Sequence, residues 1–175
     1  MGQPHLALPA AFVLLLLPIR PATAFDPHQV DVLTLRLGMT EAQATERLLA
    51  QGIPIQAIDG QRHPCPDSPR GTCLTTVTAP TKDGRLVLHF RPDGHGTASH
   101  TVDSIIYTLR FHSFGEPAMI RTSVLGRYGP PNVLDPLTWC AQVGRNGTCP
   151  ADQPRLTFQP GSTPDNAGTL TLADP

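Results

Sequence analysis

The sequence predicts an α+β protein of two tandem helix-on-antiparallel-sheet units with local disulfides. Three observations carry that prediction. Apolar residues alternate with polar ones at Leu86, Leu88 and Phe90, and again at Ile105, Tyr107, Leu109 and Phe111. Such alternation marks strands with one buried and one wet face, the antiparallel pattern. Two segments carry helix-capping residues at their start and glycine followed by proline at their end. Four cysteines fall into two close pairs, each flanking a loop rich in proline and glycine.

The chain opens with a short apolar run, Leu6 to Leu17, followed by the small-x-small triplet Ala22-Thr23-Ala24. The run is shorter than the roughly 20 apolar residues that span a bilayer, so residues 1–24 read as a signal peptide cut before Phe25. Removing 24 of 175 residues leaves 151, enough for one ordinary domain or two small units sharing a core. No cysteine lies just after the cut, so the mature chain is expected to carry no lipid anchor and to work in the periplasm or outside the cell.

The first unit is expected over 25–112. Leu33, Leu35 and Leu37 would share one face of a short strand. Thr40 and Gln43 form a capping box, and Glu41 sits in the first helical turn, where the helix dipole favours it. Ala44, Leu48 and Leu49 supply an apolar stripe; Gly52 and Pro54 stop the helix. A strand over 53–58 would end at an Asp59-Gly60 turn. Cys73 to Val77, Leu86 to Phe90 and Ile105 to Phe111 are further strands, with Val87, His89, Ile106, Thr108 and Arg110 on the wet face.

The second unit is expected over 113–175. Its helix starts near Ser113–Glu116, with Pro117 fitting the first helical position. Ile120, Val124 and Tyr128 step by four, and Gly129-Pro130-Pro131 ends it. Strands follow over 137–143, 155–159 and 169–172. The halves agree in architecture without aligning residue for residue, as after a degenerate duplication. Four cysteines allow three pairings; chain proximity favours Cys65–Cys73 and Cys140–Cys149. Their spacing differs from the C-x2-C of structural zinc sites.

Two segments carry a resemblance. The stretch from Leu35 through Gly38-Met39-Thr40 to Gly52 and the stretch Val124 to Asn132 resemble the helix segments of the β-lactamase-inhibitor-protein-like (BLIP-like) superfamily. That group includes the SmpA/OmlA envelope lipoproteins. The resemblance implies binding rather than catalysis. It gives Gly38, Met39 and Thr40 the role of helix start, and Gly129 with Pro130 that of helix exit. The two short-range disulfides are similar to those of the inhibitor.

Composition narrows the function. Thirteen basic and 14 acidic residues leave a net charge of −1, without the basic surplus that nucleic acid or an anionic membrane demands. Phosphate-loop and serine-elbow motifs are absent. Three glutamates, all assigned to helices or caps, offer no carboxylate pair across a cleft. The chain is therefore expected to be no enzyme, to need no cofactor, and to bind an unknown protein partner in the cell envelope. Arg36, Arg110, Tyr128 and Trp139 are the candidate interface residues, since arginine and aromatic side chains anchor interfaces. The alternative is a periplasmic metal-binding protein using His89, His95 and His100, near Asp103 and His112.

Overall fold

The computed structural model describes residues 25–65, 68, 71–92, 100–110, 117–163 and 166–175. The expected signal peptide, His95, His112 and the second helix cap lie outside them.

Thr40 caps α1 (Glu41–Ala50) as the sequence predicts. Its hydroxyl accepts from the Gln43 amide at 3.4 Å, and the Gln43 side chain accepts from the Thr40 amide at 3.0 Å. Gly52 ends the helix at φ +78°, a left-handed position that a Cβ would strain. A 3-10 turn, Ile55–Ala57, stands where a strand is expected. The strands β1 (Asp59–Pro64), β2 (Thr72–Thr81), β3 (Gly84–Pro92) and β4 (His100–Leu109) follow. Then come α2 (Pro117–Tyr128), β5 (Val133–Leu134), β6 (Leu137–Cys140), β7 (Arg155–Thr163) and β8 (Asn166–Ala173).

All eight strands form one antiparallel sheet, in the order β1-β2-β3-β4-β8-β7-β6-β5. This overturns the two tandem helix-on-sheet units: the protein is mostly a single sheet carrying two short helices. The reason lies at the centre. Alone, the first four strands would leave one edge of β4 unpaired, and the last four would leave β8 likewise. Unpaired buried backbone groups are costly, and these two edges satisfy each other over Ser104–Leu109 and Gly168–Ala173. A single core row then crosses the join: Val77, Leu88, Ile105, Leu172, Leu156 and Trp139, each opposite the next and each buried. Ala44 and Leu48 of α1 and Val124 of α2 belong to the same apolar cluster. Helix α1 lies against β4, and α2 against β7 and β8.

Residues 32–37 depart from the expected strand. Val32 and Leu35 bond to each other through both backbone groups, closing a two-residue reversal. Its central residues, Leu33 and Thr34, have φ of 53° and 64°, unusual for a branched side chain. The Gln51 side-chain amide, just past α1, donates to the Leu33 carbonyl and to the Thr34 hydroxyl, pinning this strained turn. Gly38 and Met39 bond to Val102, filling the part of the β4 edge that β8 does not reach.

Candidate functional site

The sheet face opposite the helices is the broadest feature. Its central row runs Asp59, Thr78, Val87, Ile106, Thr171, Thr157 and Thr138 across seven adjacent strands. The five from Thr78 to Thr157 are half-buried, shielded by their neighbours rather than by either helix. A flanking row holds Thr76, His89, Ser104, Ala173 and Arg155; another holds Pro80, Arg85, Thr108, Thr169 and Gln159. Alternation with the core rows dictates this composition. Threonine and valine suit a pleated, half-wet surface because their branched side chains pack along it. Arg85 is exposed and Arg155 half-buried. Arg91 pairs with Asp103, Nε to Oδ2 at 3.2 Å. Six strand spacings of about 4.8 Å give the row a width of about 29 Å, the scale of a protein surface rather than a small ligand.

A second feature lies where β2 leaves β3. Their pairing stops at Thr76 and His89, while Thr72 to Leu74 continue along β1 alone. The resulting corner holds the Cys65–Cys73 disulfide, with its Cα atoms 5.4 Å apart. His100, at the start of β4, faces it: His100 and the two sulfurs place donor atoms within 4.8 Å of one another. Both His100 ring nitrogens are buried without a hydrogen-bond partner. The His63 ring meets that of His100 edge-on at 5.6 Å. Helix α1 begins beside this corner, where Thr40, Glu41 and His100 line a cavity of about 150 Å³.

The second disulfide, Cys140–Cys149, also forms as the spacing predicts, with Cα atoms 5.9 Å apart. All four cysteines are paired.

The sequence-predicted residues scatter. Register places His89 opposite Ser104 on the helix-free face and His100 opposite Pro92, on the side of Phe90 and Val102. The sheet therefore separates these two proposed metal ligands. Trp139 is 1% exposed and donates its ring N–H to the Gly129 carbonyl at 3.0 Å. It packs edge-on to Tyr128 at 6.0 Å, a core position with almost no surface to offer a partner. The Tyr128 hydroxyl donates to the Asp31 carbonyl at 3.0 Å. Burial pushes that hydroxyl above its ordinary 10.0; Arg127 opposes the rise and Asp31 adds to it. Tyr128 and Arg110 both line an apolar cavity of about 470 Å³ between α2 and the sheet, with Leu33 and Met119 at its wall. Arg36 is exposed beside the 32–35 reversal.

Sequence reasoning missed the corner of His63, His100 and the first disulfide. The one available signal was His63 standing two residues before Cys65.

No helix among the described residues is long and apolar enough to cross a membrane. No protein-family model, curated protein or solved structure matches the chain.

Proposed function

We propose that this is an exported, non-catalytic module of the cell envelope that binds a protein partner across the helix-free sheet face. The observation that carries this reading is the seven-strand row from Asp59 to Thr138, half-buried through its middle, with neither helix over it. With its flanking rows the face spans about 550 Å², the larger part of the roughly 800 Å² per partner of a standard interface. Its centre of Val87, Ile106 and threonines is uncharged, and Arg85 and Arg155 stand towards its margins. The partner it fits has a small apolar centre and carboxylates at the rim, since complementary charge sets orientation and encounter rate. Two paired disulfides suit an oxidising compartment, as the expected signal peptide does. The BLIP-like resemblance of the two helix segments also favours binding.

The test is crosslinking and affinity capture from native envelopes with the wild-type chain and two variants. Thr78→Arg with Thr157→Arg places two cations in the central row, on β2 and β7 with three strands between them. Arg121→Glu alters an exposed residue of α2. The expected result is one dominant partner, lost with the sheet-face variant at an unchanged melting temperature, and retained with Arg121→Glu. Capture that ignores the sheet-face variant, or no reproducible partner, would overturn the proposal.

A further inference from the structure

We propose that Cys65, Cys73 and His100, with His63 as the fourth donor, form a zinc-type metal site that exists only when the Cys65–Cys73 bond is reduced. The sulfurs then have two alternative partners, each other or a metal. Three observations support this, independently of the sheet-face reading.

First, three of the four donors already converge, and the fourth, the His63 ring, stands 5.6 Å from the His100 ring and must swing in to complete the set. The two sulfurs and a His100 nitrogen lie within 4.8 Å of one another. Tetrahedral zinc, with bonds of about 2.3 Å to sulfur and about 2.0 Å to nitrogen, holds its donors roughly 3.5–3.8 Å apart. Opening the S–S bond to that distance needs a small shift, and Cys65 is only half-buried at the end of β1. Second, His100 is incompletely served in the oxidised state. Both its ring nitrogens are buried and unpartnered, a costly state that a bound ligand would relieve. Third, the set is particular to this corner. Among the described residues it is the one group of three or more histidine, cysteine or acidic side chains so arranged, and the Cys140–Cys149 bridge has no counterpart to His100. Two sulfurs and two imidazoles form a ligand set that soft and borderline cations favour.

The chemistry balances with a dithiol as reductant. The dithiol passes two electrons and two protons to the Cys65–Cys73 bond. The S–S bond breaks, two S–H bonds form, and the dithiol closes to its own disulfide. A divalent cation then displaces the two thiol protons to solvent and binds both thiolates, with neutral His100 and His63 completing the shell. A disulfide oxidant reverses this: it takes two electrons from the thiolates and two protons from solvent to become its dithiol, the Cys65–Cys73 bond re-forms, and the metal is released.

The test uses Co2+ as probe, because thiolate ligation gives it a charge-transfer band and tetrahedral geometry gives it strong visible bands. The full mature chain is titrated oxidised and after reduction, alongside His100→Ala and the Cys140→Ser/Cys149→Ser double variant. Expected are one Co2+ per reduced chain, none per oxidised chain, affinity weakened about tenfold or more in His100→Ala, and retained binding in the double variant. Should that variant fail to fold, peptide mapping of alkylation in the reduced wild-type chain reads the same point: Co2+ should protect Cys65 and Cys73. A reduced chain without the thiolate band, unchanged affinity in His100→Ala, or protection of Cys140 and Cys149 instead would overturn the proposal.

Discussion

The two disulfide corners are nearly the same in sequence and differ in what surrounds them. Cys65–Cys73 spans a sequence separation of 8 and Cys140–Cys149 one of 9. At the second corner the polar groups are served. The Cys140 amide donates to Asn132 Oδ1 at 2.8 Å, and Asn146 Oδ1 accepts from the Thr148 amide and hydroxyl. Cys140 itself is 1% exposed and continues β6 directly after Trp139. At the first corner the adjoining strand β1 is exposed along its whole length, and His100 is half-buried with both ring nitrogens shielded from solvent and idle. The difference teaches that loop length alone does not say what a disulfide is for. A saturated, packed bridge holds the fold. A bridge beside an unsatisfied imidazole leaves room for another chemistry.

The sharpest way to break this comparison is to remove each bridge in turn. Loop closure predicts about 2.5 kcal/mol for either, since the loops are almost equal. Cys140→Ser/Cys149→Ser is expected to lose more than Cys65→Ser/Cys73→Ser: each puts one hydroxyl in a buried site, Cys140 or Cys73, but Cys140 adjoins the buried Trp139, whereas Cys73 pairs with the wholly exposed β1. Urea denaturation of both double variants checks this, and equal losses would show that the surroundings add nothing.

A smaller effect is expected at Tyr128, which packs on Trp139 beside the second corner. Tyr128→Phe removes the bond to the Asp31 carbonyl and should cost about 1 kcal/mol at neutral pH. It should also flatten the alkaline limb of stability. The folded-state hydroxyl titrates above the unfolded value of 10.0, so the protonated form favours the fold. Its contribution is complete below that value and is lost as the pH rises through the folded one. Tyr107 is raised too, chiefly by burial, so some slope should persist in the variant. Thermal melts across that pH range decide it; identical slopes would place the alkaline loss elsewhere.

The smallest expected change is at the first corner. His100→Leu replaces two unpartnered nitrogens with methyl groups in similar space. Stability of the oxidised chain should stay within about 1 kcal/mol or rise, since a buried donor or acceptor without a partner favours unfolding. A clear destabilisation on chemical denaturation would mean that the imidazole already does structural duty there.

What the sequence showed follows from where the physics is local. The capping box of α1, the glycine stops at Gly52 and Gly129, and strands β3 and β4 were legible because caps and alternation are written in neighbouring residues. So was the wet-face position of Val87, Ile106 and Thr108. Strand β1 was not legible: every residue from Asp59 to Pro64 is exposed, so no alternation marks it, and its Asp59-Gly60 reads as a turn. The 32–35 reversal was missed because Leu33 and Thr34 are poor turn residues, held in place by Gln51 from outside the segment. The single sheet was missed because the pairing of β4 with β8 joins residues 59 to 69 positions apart in the chain. The His100 corner escaped for the same reason, since strand register alone brings it to the first disulfide.

The late strand β8 occupies the middle of the sheet, and this shapes how the chain must be made. Strands β1 to β4 pair with near neighbours in the chain and so need nothing from the later half. Until residues 166–173 arrive, however, β4 presents an open strand edge with Ile105 and Tyr107 beside it. Such edges recruit foreign strands. A chain stalled or clipped before β8 would thus be a template for aggregation, and export in an unfolded state would postpone that hazard until the whole sequence is available.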